Sequence, residues 1–192
     1  ATWRQRLEYR IHRHPLLFVF AYPAVFIFAF CIRPFLAKPR AHFDAGITAL
    51  LHAAMGVGLL LVLGIDGLLL HLIVPGVIAS SIGAYLFFAQ HNFPDAHVQP
   101  RDEWDYVTAA LRSSSYIAMN PVLQWCTANI GYHHVHHMNH HIPFYRLPHV
   151  MAAMPELQSP GTTTLRPRDI LACLRLKLWD PHRQKLVPYP TA

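Results

Sequence analysis

Residues 47–89, "ITALLHAAMGVGLLLVLGIDGLLLHLIVPGVIASSIGAYLFFA", carry one acidic residue and no lysine or arginine. Two apolar runs make up this stretch, Ile47–Ile65 and Leu68–Ala89, separated by Asp66 and Gly67. As helices they would extend roughly 28 and 33 Å, enough to cross the hydrocarbon of a bilayer. A two-residue polar break between such runs reads as a tight helical hairpin with its tip at the far interface. Outward from this stretch the chain stays rich in apolar residues. Of its 192 residues 53% are hydrophobic and only 14% charged, where a soluble domain carries about a quarter charged. The clumping of apolar residues into long runs is the pattern of a membrane protein.

A third run, Leu16–Ile32, precedes the hairpin. It has 17 residues and a central proline, Pro23. Arg4, Arg6, Arg10 and Arg13 stand before it; Arg33, Lys38 and Arg40 follow. Nine more basic residues come after Ala89, and none lies at the Asp66-Gly67 tip. Cytoplasmic flanks attract basic residues, so both flanks of the first run are expected on the cytoplasmic side, and the run itself as a re-entrant or in-plane helix. The net charge of +6 then points to anionic lipid headgroups and not to nucleic acid. Cys31, Cys126 and Cys173 are far apart and form neither a disulfide framework nor a thiolate zinc motif. The expected organisation is a basic cytoplasmic flank at 1–15, a re-entrant or membrane helix at 16–32, a transmembrane hairpin at 47–89 and a cytoplasmic region at 90–192. The fold class is all-α, an integral membrane helical bundle.

The cytoplasmic region holds the chemistry. "GYHHVHHMNHHIPFYRLP", residues 131–148, places six histidines within nine positions. Asn120 and Pro121 are a good cap and a good first helical residue, so a helix is expected from there to just before Pro143. On it His133, His136 and His137 stand at i, i+3 and i+4 and share a face, with His140 at i+7 if the last turn survives. Neutral imidazoles gathered on one face suit a first-row metal such as iron, copper, zinc or nickel, and a set without cysteine favours a redox metal over structural zinc. His134 points elsewhere. His52 and His71, inside the hairpin, are candidates by virtue of depth alone, though a backbone hydrogen bond would satisfy either. Asp95, Asp102, Asp105 and Asn129 are available to orient ligand rings. A last short helix in "RPRDILACLRLKLWDP" would present Ile170, Leu171, Leu174 and Leu178 as an apolar face.

With these residues on the page, the chain resembles the integral-membrane fatty acid desaturases, specifically the bacterial acyl-lipid delta-12/omega-6 type. "GYHHVHH" followed by "IPFYRLP" resembles the third histidine box of that family, with His133, His136 and His137 as its HxxHH. "LFFAQHNFPDAHV" is similar to the segment leaving the last membrane helix. "EWDYVTAALRSSSY" and "NPVLQWCTANIGYHHVHH" resemble the approach to the box, and "LEYRIHRHPLLFVFAYPAVFIF" the stretch after the second box. The resemblance implies two non-haem iron ions, held by three boxes plus an additional histidine near the last membrane helix. His91 is the first candidate for the additional ligand and His97 the second. It also implies an acyl-lipid or acyl-thioester substrate, and an electron donor such as a ferredoxin or a cytochrome b5-type protein. The expected location is a bacterial inner membrane, multi-pass, with the site facing the cytoplasm.

Two departures stand out. The family's HxxxH and earlier HxxHH are absent from residues 1–132, so the chain is expected to be the carboxy-terminal part of a desaturase and inactive alone. Asn139-His140-His141 also replaces the Asn-Pro-Arg common in relatives. Related di-iron hydroxylases and ketolases acting on carotenoids or alkanes, a non-enzymatic metal-binding membrane protein and an inactive fragment are the alternatives.

Overall fold

The structure, a computed structural model, describes residues 2–190. It divides into two compact units, Ala1–Tyr85 and Leu86–Ala192. The division falls inside the helix Val74–His91.

The first unit begins with a helix, Trp3–His12, closed at its start by a reciprocal cap between Thr2 and Gln5. A 3₁₀ stretch, Pro15–Phe20, leads into a wide π-helical segment, Tyr22–Ile32. Pro23 at its start has no N–H to place in a regular ladder. A short helix, Arg33–Ala37, precedes the long helix Phe43–Leu68. The run Phe43–His91 is long and apolar enough to cross a membrane, with a mean hydropathy of 2.5.

That run is not straight. Gly64 has φ 69° and ψ −167° inside the helical stretch, a conformation open essentially to glycine alone. A Cβ on Gly56 would lie 3.4 Å from Leu72 Cδ2 and 3.7 Å from Leu68 Cδ1, whereas sixteen residues of unbroken helix would separate Gly56 from Leu72 by about 24 Å. The chain therefore reverses at Gly64, two residues before Asp66. Gly67 contributes at the tip by lacking a side chain: a Cβ there would collide with Leu63. Polarity placed the tip at Asp66-Gly67. Backbone freedom decides it.

The first apolar run packs on the hairpin through small residues. Tyr22 lies against Gly76, where a Cβ would come within 2.6 Å of the ring, and its hydroxyl hydrogen-bonds His52 Nε2. Ser81 Oγ donates to the Phe18 carbonyl at 3.0 Å, and the Phe18 ring meets Tyr85 edge-on. At the other end of the run Phe35 fills the space beside Gly46. Phe18 and Phe35 thus both lie beside residues remote from the Gly64 turn. His71 donates Nδ1–H to the Gly67 carbonyl at 3.0 Å, so both histidines of the apolar runs have partners.

The second unit is built from short elements. Asp105 caps the helix Tyr106–Arg112 by accepting from Thr108 N at 2.8 Å. Asn120 caps Pro121–Cys126 as the sequence suggests, accepting from Leu123 N at 2.9 Å. That helix does not continue to the histidines. Ala128 and Asn129 take left-handed φ values of 52° and 53°, and a 3₁₀ turn, Ile130–Tyr132, intervenes before the helix His133–Met138. The break has visible causes. Asn129 N donates back to the Gln124 carbonyl at 2.6 Å. Gly131 is pressed against the Ile117 carbonyl, where a Cβ would sit 2.6 Å away. Behind the histidine helix, Val135, Leu147 and Leu157 form a buried cluster, with Leu111, Ile142, Val150 and Met151 packed on it. Leu147 and the two methionine-bearing turns come from the helix Leu147–Ala153 and the residue after it; Met151 packs inward while Met154 is exposed.

Two small sheets correct the all-α expectation. Tyr116–Ala118 pairs in parallel with Thr162–Thr164, in register Ile117 to Thr163. Leu178–Asp180 pairs antiparallel with Lys185–Val187. The second sheet also corrects the tail: the helix is Pro167–Arg175, Leu178 belongs to a strand, Leu171 is exposed, and Cys173 is the buried residue. Asp180 accepts from the backbone N–H groups of His182 and Arg183, and this turn folds the chain back where a continuing helix was expected.

Candidate metal centre

The centre forms within the second unit, from the last turn of the helix ending at His91 and the helix His133–Met138. His91, His133 and His137 bring one ring nitrogen each within 4.8 Å of one another. His133 Nε2 lies 3.0 Å from His91 Nε2 and 3.0 Å from His137 Nε2. His133 and His137 are one turn apart on their helix, so their convergence is local. His91 arrives from 42 residues away.

Three contacts bring it there. Gln90, fully buried, donates Nε2–H to the Ile130 carbonyl at 2.6 Å, tying the helix end to the turn before the histidines. Ser115 N donates to the Gln90 carbonyl at 2.9 Å. His91 Nδ1–H donates to the Ser113 carbonyl at 3.2 Å, which leaves the lone pair on Nε2, facing His133. Tyr106 steadies the other side: its hydroxyl lies 2.7 Å from the His137 carbonyl and 3.1 Å from that of Met138. Phe87, four residues before His91, meets the rings of His91 and His133 edge-on at centroid distances of 5.3 and 6.3 Å.

The donor set fits a metal ion better than a hydrogen-bond network. An imidazole nitrogen has one in-plane site, which is either a lone pair or an N–H. His133 Nε2 therefore cannot make two ordinary hydrogen bonds to two neighbouring Nε2 atoms. Two nitrogens bound to a common ion at about 2.0–2.1 Å are separated by roughly 3.0–3.4 Å, and the two spacings from His133, 3.0 Å each, fall in that range. Protonation is disfavoured as well. Burial, reinforced by the neighbouring imidazoles of His137, His91, His136 and His134, pushes the His133 pKa down to about 3. Burial, with His91 and His136, pushes His137 down to about 4. Both rings are neutral at physiological pH, the state a metal ligand requires.

Of the four sequence candidates, the structure brings together His91, His133 and His137. His136 stacks beside His133 with centroids 5.7 Å apart but contributes no nitrogen to the converging set. His97 is elsewhere: its ring packs edge-on against Trp179 at 5.8 Å. His134 is fully buried and donates Nε2–H to the Leu157 carbonyl at 3.1 Å, pinning the back of the histidine helix. His140 and His141 lie beyond the helix end at Met138, exposed, with their rings 4.1 Å apart. None of Asp95, Asp102, Asp105 or Asn129 bonds a ligand ring; Asn129 Nδ2 donates instead to the Phe144 carbonyl. Ring orientation at His91 comes from a backbone carbonyl, which no reading of side-chain types reveals. Gln90 and Tyr106 were likewise missed. A glutamine closing a long apolar run was the one available signal.

Comparison with known proteins gives two findings and one blank. A family model described as fatty acid desaturase matches residues 1–167. A protein named fatty acid desaturase from Bacillus subtilis (strain 168) is 33% identical over 193 residues, covering 98% of this chain and 53% of that protein. The chain thus spans about half the length of that curated relative. No solved structure matches.

Proposed function

The chain belongs to the fatty acid desaturase family, and from that premise we propose that it forms part of a membrane enzyme that introduces a cis double bond into an acyl chain at a histidine-held di-iron centre. The observation that carries the reading is the gathering of three histidine ring nitrogens within 4.8 Å of one another beside an apolar ring. In the overall reaction two hydrogens leave adjacent carbons, and O₂ with two electrons and two protons becomes two waters. The iron, when bound, supplies the oxidising power. His91, His133 and His137 would hold one ion, oriented by the Ser113 carbonyl and the Tyr106 clamp. His136 would face the second, whose remaining ligands lie outside this chain. Phe87 offers an apolar edge along which a saturated tail would be aligned.

The hairpin is read as crossing the membrane. Basic residues on both flanks of residues 16–32, together with the packing of Phe18 and Phe35 beside residues remote from the Gly64 turn, support a re-entrant path for the first run. Electrons would come from a ferredoxin or a cytochrome b5-type protein.

The test is product analysis. A complete protein containing these residues is expressed in a host lacking desaturases, and its fatty acids are examined as methyl esters by mass spectrometry. Chains with a new cis double bond are expected, lost together with bound iron in His133→Ala. Hydroxylated or keto products, or normal unsaturation in the variant, would overturn the reading.

A further inference from the structure

The helix Trp3–His12 is ten residues long and buries none of them. Helices shorter than about 12–15 residues are marginal in water without a partner, so this one calls for a surface to lie on. Its pattern says which. Trp3, Leu7 and Ile11 stand at i, i+4 and i+8 and form one apolar stripe roughly 80° wide. All three are exposed, at 69%, 49% and 52%. By the same angular count Arg4 borders the stripe on one side and Arg10 and Arg6 border it on the other, while Gln5, Glu8 and His12 occupy the far side. A narrow apolar stripe between rows of arginine is the arrangement of a helix lying in a bilayer interface, where long side chains reach up to headgroups while the stripe sinks below them.

A second feature lies at the elbow after this helix. Arg10, Ile11, His14, Leu16 and Leu17 line a hollow of about 270 Å³. His14 Nδ1 accepts from Leu16 N at 3.3 Å, so its proton is on Nε2 and can be donated outward. The surface that lines the hollow is apolar, which matches the top of an acyl chain.

We propose that the helix Trp3–His12 and the elbow at Arg10–Leu17 form an interfacial anchor that binds anionic phospholipid. The charge is complementary, with four arginines over residues 4–13, and basic residues next to an apolar run are drawn to anionic headgroups. The apolar run that follows begins four residues after the helix ends, so the stripe is delivered to the bilayer surface by the same chain that enters it. The anchor rests on the membrane reading of that run, and on no property of the metal centre.

The test uses the full chain with Trp104, Trp125 and Trp179 replaced by phenylalanine, which leaves Trp3 as the sole indole. The protein is reconstituted into vesicles of phosphatidylcholine, with or without about 30 mol% phosphatidylglycerol, using lipids brominated on the acyl chain. Flotation with the vesicles, resistant to alkaline wash, reports insertion of the apolar runs independently of Trp3. In the anionic vesicles Trp3 fluorescence is expected to be quenched and blue-shifted. Quenching is expected to fall by about twofold or more in pure phosphatidylcholine and in Arg4→Gln/Arg10→Gln, and to return in Arg4→Lys/Arg10→Lys. A protein that floats while Trp3 stays unquenched in both vesicles would overturn the anchor and point to cover by another protein segment. Quenching indifferent to lipid charge and to the arginines would also overturn it. A protein that fails to float would instead overturn the membrane reading beneath it.

Discussion

The convergence of His91 with His133 and His137 makes unequal demands on neighbouring histidines. In the purified chain, His91→Ala, His133→Ala or His137→Ala should each abolish most metal binding, measured by elemental analysis after equilibration with ferrous iron under nitrogen. His97→Ala should retain it, because that ring packs against Trp179. Equal loss in all four variants would deny the assignment. The same imidazoles predict a pH dependence of the metal-free chain. With folded pKa values near 3 for His133 and 4 for His137, against about 6.5 in an unfolded chain, the unfolded state takes up protons first on acidification. The contribution of these two rings to stability is fully present above pH 6.5. It declines as pH falls from there toward 4 and 3. The thermal midpoint of wild type should fall relative to that of His133→Phe over that interval, and parallel curves would contradict the burial seen here. The HxxHH spacing was legible in the sequence because it needs only helical geometry. The Nδ1 bond of His91 was not, because its acceptor is a main-chain carbonyl.

Two elements owe their form to contacts that residue type alone does not announce. The hairpin reverses where Gly64 can adopt φ 69°, and an alanine there would cost about 1–3 kcal/mol. Gly64→Ala should therefore lower the thermal midpoint in detergent more than Gly58→Ala, since Gly58 has nothing within 4 Å of a would-be Cβ. An equal effect at both positions would place the turn elsewhere. The second element is the helix end at Gln90. Replacing Gln90 by leucine leaves the Ile130 carbonyl without its donor, a loss of about 1–3 kcal/mol if no water enters. It should also weaken metal binding about tenfold or more, as loss of an orienting contact typically does. Metal titration and melting of one protein sample check both effects. The helix from Pro121 shows the opposite case. Its start was readable from Asn120-Pro121, but its end was not, because Ala128 and Asn129 are forced into left-handed angles by the backing of Gly131 on Ile117.

For the molecule as a whole, a single set of three nitrogens converges among the described residues. The isolated chain is thus expected to bind about one iron, not two, when counted by elemental analysis against protein. A ratio near two would require a second site that this fold does not show. The chain spans about half the length of its Bacillus relative. What the sequence determined by itself follows from short-range rules. Apolar runs of bilayer length, a helical box of histidines, the cap at Asn120, and family membership all depend on residues close together in the chain. What only the tertiary structure decided involves distant partners. It settled which histidine joins the box from 42 residues away, where the hairpin turns, and that two small sheets close the second unit. The physical reason is that each of these outcomes depends on a backbone group. A carbonyl at Ser113 or Ile130, or a bare Cα at Gly64, is present in every chain and acquires meaning only from what is folded against it.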